Sequence, residues 1–180
     1  NAYALADADF PDWYFASDEV ALLARIGLPR TEALALFAER GGDPERPGKH
    51  NPLDALLWRQ ARPGEPAWDS VLGRGRPGWH IECAAIALDC LGADFDVQAG
   101  GSDLSFPHHP MSAQQAETIT KVPCVQTGLH TAMVSYQGHK MSKSRGNLVF
   151  IHQLLAGGAD PMAVRLMLLA QHYRSDWEYT

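Results

Sequence analysis

The sequence predicts an α/β fold, and three observations support this prediction. After residue 78, segments with apolar residues at helical spacing alternate with short segments of alternating polarity. Clusters of glycine and proline separate these segments, as loops separate helices from strands. The chain has 180 residues, of which 46% are hydrophobic, enough for one medium domain or for one domain and part of another.

The first 52 residues predict a peripheral module around one clear helix. Residues 31–40 have apolar side chains at helical spacing, with Thr31 as the candidate N-cap and Gly41 and Gly42 as the stop signal. A loop rich in glycine, proline and charge follows, and residues 53–58 are apolar again. We therefore expect fewer helices and strands in this part of the chain than in the rest.

The remainder of the chain predicts alternating helices and strands. This alternation favours a parallel sheet. The predicted elements are a helix at 79–91 that ends at Gly92, a strand at 94–98, a turn at 100–103, a helix at 106–120, strands at 122–130 and 131–136, and helices at 151–156 and 161–173, the last starting with a proline.

The net charge and the hydropathy pattern argue against some classes of partner. The net charge of −6 provides no basic stripe for a phosphate backbone, which is a weak argument against a large nucleic-acid partner. No apolar run is long enough to span a membrane, and no signal peptide is evident, so we expect no membrane partner. The chain starts with Asn1 instead of methionine, so we expect an excised piece.

The three cysteines indicate the compartment. They are widely spaced and odd in number, so we expect no disulfide framework and a cytoplasmic protein. Cys90 and Cys124 are predicted to be buried apolar residues.

One candidate metal site combines two separated strings, residues 78–83 and 106–109. Cys83 and His108 offer a thiolate and an imidazole, which are ligands that zinc prefers. Neither residue belongs to a local pair of ligands. A single cysteine on an apolar helix is usually a core residue, and a histidine after proline can simply begin a helix. The spacing alone therefore leaves both interpretations open.

Two further strings indicate binding loops. Residues 140–144, Lys-Met-Ser-Lys-Ser, combine two ammonium groups with two hydroxyls, a composition suited to a polyphosphate, although a short basic run is usually a solvated turn. Met141 is apolar, so we expect this loop to dock onto a surface. The turn at 100–103 follows a predicted strand, where α/β sheets bind ligands; a plain turn is the alternative.

Together these strings resemble a known family. Residues 140–144 followed by Arg145, Gly146 and Asn147 resemble the signature loop of class I aminoacyl-tRNA synthetases. The strings at 78–83, 100–104 and 106–109 resemble cysteinyl-tRNA synthetases and their relatives. Residues 39–44 resemble the relatives that join L-cysteine to glucosaminyl-inositol in mycothiol biosynthesis. Ser112 stands where the tRNA enzymes carry a glutamate zinc ligand.

The resemblance implies a division of the chain. Residues 1–52 would be the tail of an inserted connective domain, and residues 53–135 the second half of a Rossmann-like catalytic domain. Residues 136–150 would form the signature-loop region, and residues 151–180 would begin a helical C-terminal region.

The resemblance also implies roles for individual residues. Cys83 and His108 would be two of three protein ligands to one Zn²⁺, completed by a cysteine outside this chain and by the substrate thiol. Trp79 would line the amino-acid pocket. Lys140 and Lys143 would be catalytic, offsetting charge on the leaving diphosphate. The other expected contacts to the nucleotide are Gly101, Ser102 and Asp103 at the adenylate, Val134 near adenine, and Met141, Ser142 and Ser144 in the loop.

The implied activity is a two-step ligation. L-cysteine and ATP, with Mg²⁺, would give cysteinyl-AMP, which would be transferred to the amine of an aminosugar-inositol acceptor with release of AMP. Residues 39–44 are expected to help position that acceptor. Transfer to tRNA is the alternative, and a non-enzymatic relative is a third hypothesis. The isolated chain is expected to be inactive, and a full-length protein monomeric.

Overall fold

The computed structural model describes residues 1–180, which group by their contacts into two compact units. The first unit contains Asn1–Gln98 and Asp103–Gly128, and the second contains Ala99–Ser102 and Leu129–Thr180. The elements in chain order are β1 (Ala2–Ala4), β2 (Trp13–Phe15), α1 (Glu19–Ile26), α2 (Arg30–Glu39), β3 (Ala55–Gln60), β4 (Gly75–Pro77), α3 (Trp79–Leu91), β5 (Phe95–Gly101), a 3-10 turn (Ser102–Leu104), α4 (His108–Thr120), β6 (Val125–Thr131), β7 (Val134–Tyr136), β8 (His139–Lys140), α5 (Ile151–Ala156), α6 (Pro161–Leu169) and β9 (Trp177–Tyr179). The predicted α/β class is confirmed, whereas the predicted four-part division of the chain stays a prediction.

The first unit contains an antiparallel sheet with the strand order β1-β2-β3-β4. Tyr14 in the middle of β2 lies opposite Tyr3 of β1 and Leu56 of β3. The apolar segment predicted at 53–58 corresponds to β3. Strands β1 and β2 were not predicted, because strands of three residues have too few positions to show alternation.

The main core lies between this sheet and helices α1, α2 and α4. Its buried members include Phe15 of β2, Leu22 of α1, Phe37 of α2 and Met111 of α4. Burying each such side chain contributes about 1.5–3 kcal/mol relative to exposure. Because Phe106 is part of the same cluster, the segment that enters α4 is anchored in the core.

The N-terminal helices differ in how they begin. Asp18 caps α1 by accepting a hydrogen bond from the Ala21 amide at 3.0 Å. The predicted cap of α2 at Thr31 is wrong, because the helix already begins at Arg30 after Pro29, with no side-chain cap. The N-cap position is Pro29, whose backbone is extended, and it lies two residues before the predicted cap.

Helices α3 and α4 pack against each other and carry the strings singled out above. The predicted bounds of α3, with Gly92 after its last residue, are confirmed. Helix α4 begins at His108, two residues later than predicted. Between the helices, a small cluster of Ala84, Ala116 and Cys124 is buried. Cys124 is thus a core residue as predicted, but Cys90 is exposed because it lies on the outer face of α3.

The start of α3 lies close against the sheet. The Gly78 amide donates to the Leu57 carbonyl at 2.8 Å, which continues the pairing of β4 with β3. A Cβ atom at Gly78 would lie 1.9 Å from the Leu56 carbonyl oxygen, so only glycine fits there.

The second unit is built around a three-stranded sheet with the order β8-β7-β9. Strand β7 pairs antiparallel with β8 and parallel with β9. Pro161 begins α6 as predicted, and Asp160 caps the helix through the amides of Met162 and Ala163. The helix ends at Leu169, four residues before the predicted end, and the chain then returns to the sheet as β9.

Candidate active site

The first turns of α3 and α4 place three aromatic side chains together. The indole of Trp79 stacks on the imidazole of His108, with ring centroids 4.1 Å apart and an angle of 18° between the planes. The Nδ1 atoms of His80 and His108 lie 3.1 Å apart, within hydrogen-bonding distance. The structure therefore brings together Trp79 and His108, which the sequence assigned to one site, and adds His80 as the partner of His108.

Burial keeps both imidazoles of this pair neutral. Removal from water lowers the pKa of His80 to about 3, with a smaller contribution from the neighbouring His108. Burial also lowers the pKa of His108. A neutral imidazole has one nitrogen with a proton and one with a free lone pair. If His108 donates from Nδ1 to His80, its Nε2 atom has the free lone pair that a metal ligand requires.

Cys83 lies on the same face of α3, one helical turn after Trp79 and His80. Cys83 is exposed as a residue, but its thiol is partly shielded from water. This desolvation and, to a smaller extent, the charge of Glu82 raise the pKa of the thiol. A metal would therefore have to displace a proton from this sulfur to bind it. No group of three or more histidine, cysteine, aspartate or glutamate side chains in the chain is arranged to hold a metal.

Ser112 ties the two helices together at this site. Its buried hydroxyl lies 3.1 Å from the carbonyl oxygen of His80 and 2.8 Å from that of His108. The hydroxyl thus bonds to main-chain atoms of both histidines. Sequence reasoning identified the position only as a departure from the tRNA enzymes, because a bond across two helices leaves no local pattern.

The glycine string before α4 ends a strand. The sequence predicts a turn at 100–103, but Gly100 and Gly101 belong to β5, and only Ser102 and Asp103 enter the 3-10 turn. The main-chain carbonyl of Asp103 accepts a hydrogen bond from Arg40 at 2.9 Å. Sequence reasoning assigned no role to Arg40 by itself.

The signature loop belongs to the second unit and is organised by Asn147. The amide of Ser142 donates to Oδ1 of Asn147 at 2.9 Å, and Nδ2 of Asn147 faces the carbonyl oxygens of Tyr136, His139 and Lys140 at 3.2–3.3 Å. The sequence places Asn147 in the string that resembles the family but indicates no role for it. One amide side chain therefore holds the first residues of the loop and the residues just before it.

The predicted contact residues of the loop differ in exposure. Lys140 ends β8, and it and Lys143 are exposed, as is Ser144. Met141 is half-buried, and its amide donates to the carbonyl of Val134 at 3.1 Å. The hydroxyls of Ser142 and Ser144 lie 3.3 Å apart. The loop thus presents ammonium groups and hydroxyls from a short turn that Val134 and Asn147 support.

None of the helices is both long and apolar enough to cross a membrane.

These sites lie in a chain that matches a known family along almost its whole length. Residues 2–180 match the family of class I (C) tRNA synthetase catalytic domains, and the chain belongs to this family.

Several curated relatives that the chain matches share one name, L-cysteine:1D-myo-inositol 2-amino-2-deoxy-alpha-D-glucopyranoside ligase. The protein of Cellulomonas flavigena is 58% identical over 183 residues, which is 99% of this chain and 44% of the relative. That of Thermomonospora curvata is 60% identical over 94% of this chain and 41% of the relative. That of Streptomyces coelicolor is 65% identical over 81% of this chain and 36% of the relative. The chain thus spans less than half the length of these relatives.

Proposed function

We propose that this chain forms part of an ATP-dependent ligase that activates L-cysteine and joins it to the amine of glucosaminyl-inositol. The printed names of relatives that are 56–65% identical support this activity. The single observation that carries it against a tRNA acceptor is the hydroxyl of Ser112. This hydroxyl bonds to two main-chain carbonyls at the position where a tRNA enzyme has a carboxylate ligand.

Cys83 and His108 would hold a zinc ion, together with a cysteine from outside this chain. The residues present fit such an ion, because Cys83 is exposed and the neutral imidazole is fixed through Nδ1 by His80. When bound, zinc supplies a soft acceptor that favours the thiol of cysteine over the hydroxyl of serine. Trp79, half-exposed beside His108, would form a wall of the amino-acid pocket.

The remaining predicted residues would bind the nucleotide. Asp103, in the middle of the 3-10 turn after β5, would hold the ribose, with Gly101 and Ser102 lying along the adenylate. Val134 would contact adenine. Lys140 and Lys143 would place two positive charges against the diphosphate, with Met141, Ser142 and Ser144 shaping the loop. ATP would enter with Mg²⁺, whose charge would offset that of the phosphates.

The reaction would proceed in two steps. A carboxylate oxygen of cysteine attacks the α-phosphorus of ATP, a P–O bond forms, and the bond to diphosphate breaks. The acceptor amine then attacks the cysteinyl carbonyl, an amide bond forms, and AMP departs as the amine loses a proton. In this scheme the chain contributes positioning and charge stabilisation, without a covalent intermediate on the protein.

We further propose the division of the chain that the family resemblance implies. Residues 53–135 would be the second half of a Rossmann-like domain, preceded at 1–52 by the tail of an inserted domain. Residues 136–150 would be the signature-loop region and residues 151–180 the start of a helical region. The full-length protein would be a cytoplasmic monomer.

The acceptor is tested with the full-length protein, given cysteine, ATP and either glucosaminyl-inositol or tRNA. We expect AMP release that depends on cysteine and on the aminosugar. AMP release with tRNA alone would refute the proposal in favour of a tRNA synthetase. Serine in place of cysteine is the matched substrate control and is expected to give no product.

The isolated chain provides a second test. With two of the proposed zinc ligands and without the remaining residues of the relatives, the 180-residue chain is expected to show no cysteine-dependent exchange of diphosphate with ATP. It is also expected to lose zinc on dialysis against a chelator, because two ligands leave the coordination shell open. Stoichiometric zinc after dialysis would contradict the proposed ligand set.

A further inference from the structure

Residues 39–44 resemble a string of the proposed ligases, and the structure shows where the side chain of Arg40 in this string reaches. Helix α2 ends at Glu39, and Gly41 has a positive φ of 89° that turns the chain away. A Cβ atom at Gly42 would lie 2.5 Å from the ring of Phe37 in the core. The two glycines thus let the chain turn tightly against Phe37, immediately after Arg40.

Arg40 reaches from this turn to the segment between β5 and α4. Its Nη1 atom donates to the carbonyl oxygen of Asp103 at 2.9 Å and also to the carbonyl oxygen of Phe106. Each of these bonds has a charged donor, and such bonds are stronger than those between neutral groups. One guanidinium therefore fixes two points of a segment that lies far from it in sequence.

The segment held in this way carries two proposed site residues. Asp103 is a proposed contact to the adenylate, and His108 follows Phe106 by two residues at the start of α4. Phe106 is anchored on its other side by burial in the main core. If the guanidinium were lost, both carbonyls would lose this donor, and the position of the segment relative to α3 would be less tightly fixed.

We infer that Arg40 is a positioning residue that sets the place of Asp103 and His108, and that the string at 39–44 serves the site through this contact. The inference rests on the proposed function, because it assigns Arg40 to the cysteine-activating site. The structure directs Arg40 to the main chain before α4, while a role of residues 39–44 in positioning the acceptor sugar stays a prediction.

The test uses the full-length protein with Arg40→Met, which keeps the length of the side chain but removes its donors. Arg40→Lys keeps the charge and one donor group as a conservative rescue. Arg30→Met is the matched control, because Arg30 begins the same helix but bonds to the surface residue Glu19. The measurements are the kcat and KM of cysteine-dependent ATP–diphosphate exchange, the Kd for Co²⁺ from its absorption bands, and the melting temperature.

We expect Arg40→Met to raise the KM for cysteine and the Kd for Co²⁺ by about tenfold or more, since a misplacement of about 1 Å can cost far more than that. The kcat of Arg40→Met is expected to change less than these two constants. Arg40→Lys should give a KM and a Kd between those of Arg40→Met and the wild type. Arg30→Met should match the wild type in both constants. Wild-type values for both constants in Arg40→Met would overturn the inference. A fall in melting temperature with unchanged KM and Kd would also overturn it, because Arg40 would then be only structural.

Failure of the proposed function gives a different result. In that case the wild-type protein itself shows no cysteine-dependent exchange, while the Co²⁺ titration still compares Arg40→Met with Arg30→Met. An unchanged Co²⁺ affinity in Arg40→Met would then refute the positioning of His108 independently of any activity.

Discussion

Replacement of Ser112 by alanine separates a structural tie from a metal ligand. The hydroxyl of Ser112 is buried and lies 3.1 and 2.8 Å from the two histidine carbonyls. It has one proton, so it donates fully to one carbonyl at a time or shares the proton between both. The net contribution of one such bond is about 1 kcal/mol, and loss of a buried partner can raise the cost to roughly 2 kcal/mol.

This magnitude is measurable by urea unfolding of the 180-residue chain, followed by tryptophan fluorescence. With an m-value of about 2 kcal/mol/M for a domain of this size, the midpoint is expected to fall by roughly 0.5–1 M. Ser70→Ala is the matched control, because the Ser70 hydroxyl also donates to a main-chain carbonyl, that of Gly73 at 2.8 Å, but is exposed. Water replaces the lost partner there, so the midpoint of that variant should change little.

The same substitution in the full-length protein tests the metal site. His80 and His108 lie in helices, whose main-chain hydrogen bonds hold these two carbonyls even without Ser112. Ser112→Ala is therefore expected to change the zinc affinity by less than about threefold, whereas loss of a ligand or of its supporting bond usually costs about 10–100-fold. An unchanged urea midpoint together with a large loss of zinc affinity would refute the reasoning, since the hydroxyl would then act on the ion and not on the helices.

Three further predictions concern other parts of the chain. Gln115→Met is expected to raise the unfolding free energy of the 180-residue chain by about 1 kcal/mol in urea, because both polar side-chain atoms of Gln115 are buried without a partner; a lower value would show that the amide is bonded. Asn147→Ala is expected to speed hydrogen exchange of the Ser142 amide and to lower the rate of ATP–diphosphate exchange by the full-length protein about tenfold or more. Asn51→Ala is the comparison, because Asn51 belongs to the first unit and bonds to Glu19. The hydrogen bond from Arg30 lowers the pKa of Glu19 below its ordinary value of 4.5, so the stability from this pair is present above pH 4.5 and is lost as the pH falls through the lower folded pKa. Glu19→Gln should make the urea midpoint depend less on pH in that range. An unchanged pH dependence would contradict the assignment.

The sequence predicts those elements whose signals are local. Helix α3 shows this, because the apolar spacing, Gly78 before it and Gly92 after it define its bounds without reference to the rest of the chain. Strand β2 shows the opposite, since its three residues form a strand only by pairing with β1 and β3. The antiparallel sheet at the N-terminus was therefore not predictable from periodicity.

The candidate site divides in the same way. Trp79, Cys83 and His108 are identifiable from strings that resemble a family, and the structure brings Trp79 into contact with His108. The contact between His80 and His108, like the reach of Arg40 to Asp103, joins residues that are distant in sequence and leaves no pattern in it. The first contact depends on how α3 and α4 pack, and the second on where the end of α2 lies relative to the turn after β5. Periodicity specifies neither arrangement.

The close contact between Gly78 and the main chain of Leu56 sets how near α3 lies to the sheet. Even a single methyl group there would meet the carbonyl oxygen of Leu56, and the helix would have to move away by an ångström or so to relieve the overlap. Trp79 and Cys83 would move with it, although neither would be altered. Under the proposed function, specificity for a thiol would then depend on the absence of a side chain at Gly78. Variants at Gly78 would lose cysteine selectivity while keeping both Trp79 and Cys83.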